Sequence, residues 1–349
     1  MRRILIFAPA WVGDMVMAES LVAALKRAEP DSSIHLLAPP WTAPLGERMA
    51  GIAKVHRIDA AHGRFDLMGR IRLGRSLGPE KFDLAIVLPG SFKAAIVPFF
   101  AGVPTRRGYR GEMRYGLLND IRVLDKEALP RTIDRFVALA AEPGDPLPLV
   151  TPPVLRHDTD AARAIAGRLG LAGEARPIIG LCPGAEYGPA KQWPATHYAA
   201  LAEMLHRQGY AVWIFGSGKD RIVAEDIGIL AVEKNPDAVP VNLCGRTSLL
   251  EAIDLMGLTS GIVTNDSGLM HVAAAIGRPL VALYGSTTPA MTPPMTDEAR
   301  IMERTLSCRP CFKRECPLGH LNCLKLIEAG EVKEALMPLV APPPPPAFH

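Results

Sequence analysis

The stretch Gly261–Gly285, GIVTNDSGLMHVAAAIGRPLVALYG, contains the pattern that decides the fold. An apolar run stops at Asn265–Gly268, an alanine-rich helical segment follows, and a second apolar run begins at Pro279. This order predicts a strand, a tight loop, a helix and a second strand. The first turn of such a helix presents free N–H groups and a partial positive charge beside the end of the strand. The loop therefore predicts a phosphate site.

The residues of this loop suit an anionic ligand. Gly268 lets a backbone approach closely, Ser267 offers a hydroxyl, and His271 falls on the first helical turn. The alternative is that Asp266 or Ser267 only caps the helix, because both residue types are favoured at that position. These residues alone leave both interpretations open.

Length and composition indicate a folded protein of two domains. The chain has 349 residues, of which 48% are hydrophobic and 21% are charged. The apolar runs are far shorter than a membrane span, and the apolar start continues into Pro9 and Asp14 rather than into a signal-peptide pattern. We therefore expect a cytoplasmic protein. A net charge of +3 is too small to indicate a nucleic-acid partner by itself.

The first half begins with a β-α-β pattern, in which Arg3–Ala8 and Ser33–Ala38 are the predicted strands. Its first loop lacks the G-x-G-x-x-G dinucleotide fingerprint and carries Asp14 instead. Asp14 therefore stands at the carboxyl edge of the first strand, where open α/β sheets bind ligands. A helix N-cap is the alternative role for this residue.

A further strand, Phe82–Leu88, is followed by a loop that carries Lys93, which we expect at the same sheet edge. The segment from Ser91 to Arg114 has five basic residues and one acidic residue, Glu112. It predicts an anionic partner such as a phosphorylated sugar, an anionic lipid headgroup or a polyanion. The alternative is a solvated face with scattered ion pairs. The five basic residues are Lys93, Arg106, Arg107, Arg110 and Arg114.

The second half repeats the strand and helix alternation after a proline-rich linker, Glu142–Pro153. Its strand-end loops carry Tyr187 and Lys191, and then Asp220, which is placed to contact ribose hydroxyls. The predicted strands are Pro177–Cys182, Ala211–Phe215 and Val241–Cys244. The alternation predicts an α/β fold with two Rossmann-like, doubly wound domains that face each other across a cleft. The expected boundaries are 1–150 for the first domain, 151–340 for the second and 341–349 for a Pro-rich tail.

Four long motifs carry a closer resemblance. They are ILIFAPAWVGDMVM from Ile4, VPFFAGVPTRRGYRGEMRYGLLND from Val97, CPGAEYGPAKQWP from Cys182 and TNDSGLMHVAAA from Thr264. The chain resembles the ADP-heptose:lipopolysaccharide heptosyltransferases over nearly its whole length, through about Pro294, and within them it is most similar to the heptosyltransferase II group.

The resemblance implies an inverting glycosyltransferase of the GT-B type that needs no cofactor and no catalytic metal. ADP-L-glycero-D-manno-heptose would be the donor, and the acceptor would be the first heptose of the Kdo-linked lipopolysaccharide inner core. Such an acceptor implies a peripheral, weak association with the inner face of the inner membrane. The alternatives are heptosyltransferase I or III and, from other classes, an NDP-sugar epimerase, a phosphorylase or a non-catalytic nucleotide-sugar binding module.

The resemblance also implies roles for the loops. Asp14 matches the base that takes the acceptor proton, and Lys191 matches the lysine that binds the pyrophosphate. Lys93, Arg107 and Arg110 are expected to hold the anionic acceptor, by their charge and placement. The residues expected to bind the donor are Tyr187, Lys191, Asp220, Asp266, Ser267, Gly268 and His271.

Two further patterns raise the question of a metal. Asp158 and Asp160 spell the D-x-D signature of metal-dependent glycosyltransferases, but they open a helical run and are expected to cap it. Four cysteines near the end have the spacing C-x2-C-x4-C-x6-C, with His320 among them. They predict either a structural metal or iron–sulfur site or a thiol-rich surface loop. These cysteines are Cys308, Cys311, Cys316 and Cys323, whereas Cys182 and Cys244 are expected to be ordinary core thiols.

Overall fold

A computed structural model describes residues 1–58 and 65–343. The chain divides into two compact units. The first contains Met1–Arg156 together with Ala290–Thr292, and the second contains His157–Pro289 and the described residues from Pro293 onward. The predicted linker, Glu142–Pro153, has no helix or strand and belongs to the first unit. Most of the predicted Pro-rich tail lies outside the described residues.

The first unit is a six-stranded parallel sheet. Its strands are β1 Arg3–Phe7, β2 Ser33–Ala38, β3 Ile52–Arg57, β4 Leu84–Val87, β5 Thr105–Tyr109 and β6 Asp120–Arg122. They lie in the order β3-β2-β1-β4-β5-β6. The central strands are buried on both faces, which explains why their sequences are continuous apolar runs.

Helices connect these strands, as parallel pairing requires. They are α1 Val12–Met17, α2 Glu19–Ala28, α3 Ala43–Arg48, α4 Leu67–Leu77, α5 Phe92–Phe100 and α6 Thr132–Ala138. Met17, Leu21, Ala24 and Leu25 recur at helical spacing after β1 and are buried, and the helical segment that they occupy is divided in two at Ala18.

The second unit has a sheet of the same design. Its strands are β7 Ile178–Cys182, β8 Ala211–Ile214, β9 Val241–Asn242, β10 Gly261–Asn265, β11 Leu280–Leu283 and β12 Ala299–Met302. They lie in the order β12-β11-β10-β7-β8-β9 and all pair in parallel. The helices are α7 Thr159–Arg168, α8 Ala195–Arg207, α9 Arg221–Lys234, α10 Leu249–Met256, α11 Gly268–Ala275, α12 Asn322–Lys325 and α13 Ala329–Leu336.

The prediction of two Rossmann-like α/β domains is confirmed. In each sheet the first strand of the unit lies in the middle, and the strand order reverses between it and the fourth strand. These reversal points are β1/β4 in the first unit and β7/β10 in the second. Loops that leave the carboxyl ends of two such strands diverge and leave a crevice, which is where sheets of this type bind ligands.

Two local predictions have clear outcomes. The Asp158 side chain accepts hydrogen bonds from the N–H groups of Asp160 and Ala161, so the capping interpretation of the D-x-D segment is confirmed. Cys182 and Cys244 are buried, as expected of core thiols. Among the described residues, no helix combines the length and the apolar character that crossing a membrane requires.

Candidate functional site

An ion pair joins the two loops at the point where the strand order of the second unit reverses. Lys191, in the loop after β7, donates from Nζ to Asp266 Oδ2 at 2.6 Å, and Asp266 directly follows β10. The lysine side chain is 14% exposed and the aspartate 4%, so water screens this pair little. The sequence prediction that these two residues share a site is consistent with this contact.

Asp266 has a second partner. Thr287, in the loop after β11, donates from Oγ1 to Asp266 Oδ2 at 2.5 Å. A buried carboxylate is tolerated only when it is paired and hydrogen-bonded. Loops from three neighbouring strands, β7, β10 and β11, are therefore joined at one carboxylate.

The helix that follows Asp266 begins without a side-chain cap. Ser267 occupies the N-cap position of α11, and its hydroxyl makes no capping hydrogen bond there. The helix-capping alternative for Ser267 is therefore wrong. The N–H groups of the first turn, beginning at Gly268, remain oriented outward with the positive end of the helix dipole. Such a terminus, beside the Lys191 ammonium, suits an anion.

His271 lies in the same helix and is almost fully buried. Burial is the largest influence on its imidazole and lowers its pKa to about 4; nearby Asp266 opposes this shift and Lys191 adds to it. The ring is therefore neutral at pH 7 and adds no charge to the site. Lys191 supplies the positive side-chain charge at this point.

Asn265 explains how the loop after β7 is held. Its Oδ1 accepts from the Trp193 N–H at 3.1 Å and from the Tyr198 hydroxyl at 3.0 Å, and its Nδ2 donates to Pro183 O at 2.6 Å. This buried amide fixes both ends of the segment that carries Lys191. Sequence analysis placed Asn265 only in a loop, because its partners are more than 60 residues away.

Tyr187 stands beside the lysine. Lys191 Nζ lies 5.2 Å from the centre of the Tyr187 ring, and the Arg314 guanidinium lies 5.5 Å from it. The Tyr187 hydroxyl donates to Phe312 O at 2.7 Å. Arg314 therefore brings a second cation to the ring by cation–π contact. Arg314 and Thr287 were not predicted, because only the fold brings them to Tyr187 and Asp266.

Asp220 shapes the neighbouring loop after β8. Its Oδ2 accepts from the N–H and the hydroxyl of Ser217, both at 2.8 Å, in a capping box. Its other oxygen faces Gly184, where a Cβ would lie 2.5 Å from Oδ1. Oδ2 is thus used in hydrogen bonds within the loop, so the predicted ribose contact would involve Oδ1.

The reversal point of the first unit carries Asp14 and Lys93. Asp14 lies half-buried in the first turn of α1, after β1, and Lys93 lies half-buried in the first turn of α5, after β4. Trp11 occupies the N-cap of α1, so Asp14 is not the N-cap residue. Arg110 directly follows β5, the next strand, and is exposed. The structure therefore brings these three residues to one edge of one sheet.

Arg107 does not join them, and its predicted role in acceptor binding needs correction. Its side chain is 2% exposed, and all five N–H groups are used within the protein. They bind the carboxylates of Asp120 and Glu142 and the carbonyls of Leu139 and Ala141. Arg107 is thus a structural residue that fastens β5 to β6 and to the segment after α6.

Two other arginines of the basic segment are also used internally. Arg106 donates to Leu117 O and Val103 O, both at 2.6 Å. Arg114 is buried and donates to Pro89 O and Tyr109 O, which ties together the loops after β4 and β5. The count of charges in the sequence therefore overstates the attraction for an anionic partner. Lys93 and Arg110 are the residues of this segment that remain suited to that role.

The described residues contain one group in which three potential metal ligands lie within 4.8 Å of one another: His35, His56 and Glu80. The two rings are hydrogen-bonded, with His35 Nδ1 and His56 Nε2 3.0 Å apart. Both Glu80 oxygens bind cations, those of Arg3 and Lys54. This charge arrangement opposes a metal ion, and we assign none to it.

Comparisons with known proteins agree with this geometry. A family model described as glycosyltransferase family 9 (heptosyltransferase) matches residues 70–322. Lipopolysaccharide heptosyltransferase 2 of Escherichia coli K12 is 44% identical over 345 residues, which cover 97% of this chain and 98% of that protein. Lipooligosaccharide heptosyltransferase 2 of Haemophilus influenzae is 49% identical over 307 residues, or 86% and 88% of the two chains. The solved structure of E. coli ADP-heptose LPS heptosyltransferase II has a TM-score of 0.86 at 42% identity, covering 97% and 98%.

Two Rossmann-like domains with these matches define an enzyme, a glycosyltransferase of the GT-B type. The chain belongs to glycosyltransferase family 9, the heptosyltransferases. The resemblance seen in the four sequence motifs is thereby confirmed.

The distinction between Arg107 and Arg110 can be tested by stability. Arg107→Ala removes five hydrogen bonds to two carboxylates and two carbonyls, of which Asp120 and Ala141 O keep a bond from Arg122, so we expect it to lower the free energy of unfolding by about 2–4 kcal/mol. Arg110→Ala, at an exposed position, should change it by less than about 0.5 kcal/mol. Urea denaturation of the complete chain measures both. Equal effects of the two substitutions would contradict the structural role of Arg107.

Proposed function

We propose that the chain transfers L-glycero-D-manno-heptose from ADP-heptose to the first heptose of the Kdo-linked lipopolysaccharide inner core, with inversion and without a catalytic metal. The observation that carries this proposal is the Lys191–Asp266 pair beside the uncapped start of α11. Identities of 44–49% to proteins named heptosyltransferase 2, over most of their length, support the choice of sugar and acceptor.

The donor half of the reaction uses the second unit. When the bond between the anomeric carbon and the diphosphate oxygen breaks, ADP leaves with the electron pair and negative charge develops on that oxygen. Lys191 and the first-turn N–H groups of α11 are placed to stabilise this charge. A fixed ammonium and a helix terminus can in this way take the part that a metal ion plays in other transferases. His271, which is neutral at pH 7, can donate or accept a hydrogen bond there without adding charge.

The acceptor half uses the first unit. The acceptor hydroxyl oxygen forms the new bond to the anomeric carbon on the face opposite ADP, and its proton passes to the Asp14 carboxylate. General-base assistance of this kind contributes about 10²–10⁴ in rate. Lys93 and Arg110, at the same sheet edge, are suited to the anionic groups of the acceptor.

The same edge supports the proposal of weak, peripheral contact with the inner face of the inner membrane. Trp11 follows β1, Phe92 begins α5 next to Lys93, and Met113 and Tyr115 lie after β5 in the loop that carries Arg110. All four have exposed side chains. Aromatic side chains beside basic ones are suited to an anionic lipid surface, where a lipid-linked acceptor is found. We propose no nucleic-acid partner and no cofactor.

Heptosyltransferases 1 and 3 are the nearest alternatives, and the identities are lower. Heptosyltransferase 1 of Pseudomonas aeruginosa is 30% identical over 36% of this chain, and heptosyltransferase 3 of E. coli is 22% identical over 79%. An acceptor panel separates these functions. Purified protein receives ADP-heptose and Kdo-lipid acceptors with zero, one or two heptoses, and product mass is measured. We expect addition only to the acceptor with one heptose, and addition to either of the others would contradict the proposal.

The role of Asp14 is tested by Asp14→Ala. Because the carboxylate is proposed to take the acceptor proton, kcat should fall by about 10²–10⁴. Affinity for ADP-heptose should stay within a few-fold, since Asp14 belongs to the acceptor unit. Asp31→Asn, at an exposed position before β2, is the matched control and should retain full activity. A turnover rate of Asp14→Ala near that of the unaltered chain would remove Asp14 from the role of base.

The role of Lys191 is tested by Lys191→Ala and calorimetric titration with ADP. The substitution removes a cation from the diphosphate site, so we expect the Kd for ADP to rise at least tenfold, because a charge-assisted hydrogen bond contributes about 1.5–3 kcal/mol. Lys234→Ala, exposed at the end of α9, is the control and should leave the Kd unchanged. An unchanged Kd in Lys191→Ala would place the diphosphate elsewhere.

A further inference from the structure

The four cysteines of the C-terminal segment share one cavity. Cys308, Cys311, Cys316 and Cys323 all line it, together with His320. All four are free thiols, and Cys323 is buried while the other three are partly exposed. If these residues formed only a thiol-rich surface loop, we would expect each sulfur to point separately into solvent. Here four thiols separated by up to 15 positions in the sequence converge on the same space.

The backbone around this cavity is directed at one of the sulfurs. The N–H groups of Leu318, Gly319, His320 and Leu321 surround the Cys316 sulfur, which can accept hydrogen bonds from them. Leu321 and Gly319 adopt left-handed backbone conformations there, with φ of 53° and 70°. A non-glycine residue in this conformation costs energy and persists only where its surroundings require it.

The spacing of the sulfurs bears on the size of the ligand. No three of these ligand atoms lie within 4.8 Å of one another, since the His35 group alone meets that limit in the described chain. Four thiolates around a single ion, at about 2.3 Å each, would lie about 3.8 Å apart. Four cysteines can also hold an iron–sulfur cluster, which is larger and separates the sulfurs more widely.

The cysteine segment also supports the loops of the donor site. Arg309 donates to Gly285 O at 2.6 Å and to Thr287 O at 2.9 Å, and the Phe312 N–H donates to Ser286 O at 2.8 Å. On the other side, the Ala190 N–H, directly before Lys191, donates to Arg314 O at 2.9 Å. The segment between Cys308 and Cys316 is therefore bonded to the loops that carry Lys191 and Thr287.

We propose that Cys308, Cys311, Cys316 and Cys323 ligate a thiolate-bound metal centre that fixes this segment beneath the donor site. The sulfur spacing favours an iron–sulfur cluster over a single ion. The centre has a structural role, because its ligands support the loops of the site and contribute no side chain to the transfer reaction. Only this effect on the donor loops rests on the proposed function.

The experiment is metal and sulfide analysis of the complete chain, purified without oxygen and without chelators. We expect iron and acid-labile sulfide in equal amounts, about two or about four of each per chain, since four cysteines can hold either kind of cluster. Zinc or iron near one atom per chain, without sulfide, would support the four-thiolate site but would show that it holds a single metal ion rather than a cluster. No metal, with all six thiols free or with disulfides among the four, would overturn the proposal.

Cysteine substitutions test which residues are the metal ligands. Cys316→Ser should lose most of the bound metal, whereas Cys244→Ala, which removes a buried thiol outside the segment, should keep it. Retention of the full metal content by Cys316→Ser would contradict the assignment. Cys308→Ser repeats the test in case Cys316→Ser does not fold. The Kd for ADP should rise several-fold when the metal is lost, and an unchanged Kd would limit the proposal to the metal site without affecting the donor assignment.

Discussion

The ion pair between Lys191 and Asp266 is the interaction on which the donor site depends. It joins the loops of the two strands between which the sheet order of the second unit reverses, β7 and β10. Removing one partner of a buried pair leaves a charge without compensation and costs about 3–5 kcal/mol. Thr287 donates a hydrogen bond to Asp266, and the side-chain amide of Asn265 is hydrogen-bonded to both ends of the loop that carries Lys191. The pair is therefore both part of the local structure and the source of the positive charge that a diphosphate requires.

The two units use charge in different ways. In the second unit one buried lysine, an uncapped helix and a neutral histidine form a small positive site. In the first unit most of the basic segment is internal, because Arg106, Arg107 and Arg114 bind carbonyls and carboxylates of the same unit. At the reversal point Asp14 and Lys93 are half-buried, and Arg110 is exposed. A carboxylate that has only a few cations near it is suited to accept a proton from a bound anionic substrate.

Much of the fold could be predicted from the sequence, because a parallel strand that is buried on both faces consists of a continuous run of apolar residues. Ser33–Ala38 is predicted to the residue, and the Asp158 cap follows from local chemistry alone. Arg107 was assigned wrongly because its partners, Leu139 and Glu142, lie more than 30 residues away and only the fold brings them near. Thr287 and Arg314 were missed because only the fold brings them to Asp266 and Tyr187. Residues that act on their own loop can be predicted from the sequence, whereas those that act through distant partners need the structure.

A crystal structure of the chain with ADP bound tests the role of the Lys191–Asp266 pair most directly. We expect a phosphate oxygen within about 3 Å of Lys191 Nζ, and another that accepts from the first-turn N–H groups of α11. Asp266 should keep its hydrogen bond to Thr287. A diphosphate bound away from the α11 terminus, with the Lys191–Asp266 contact unchanged, would show that this pair does not bind the donor.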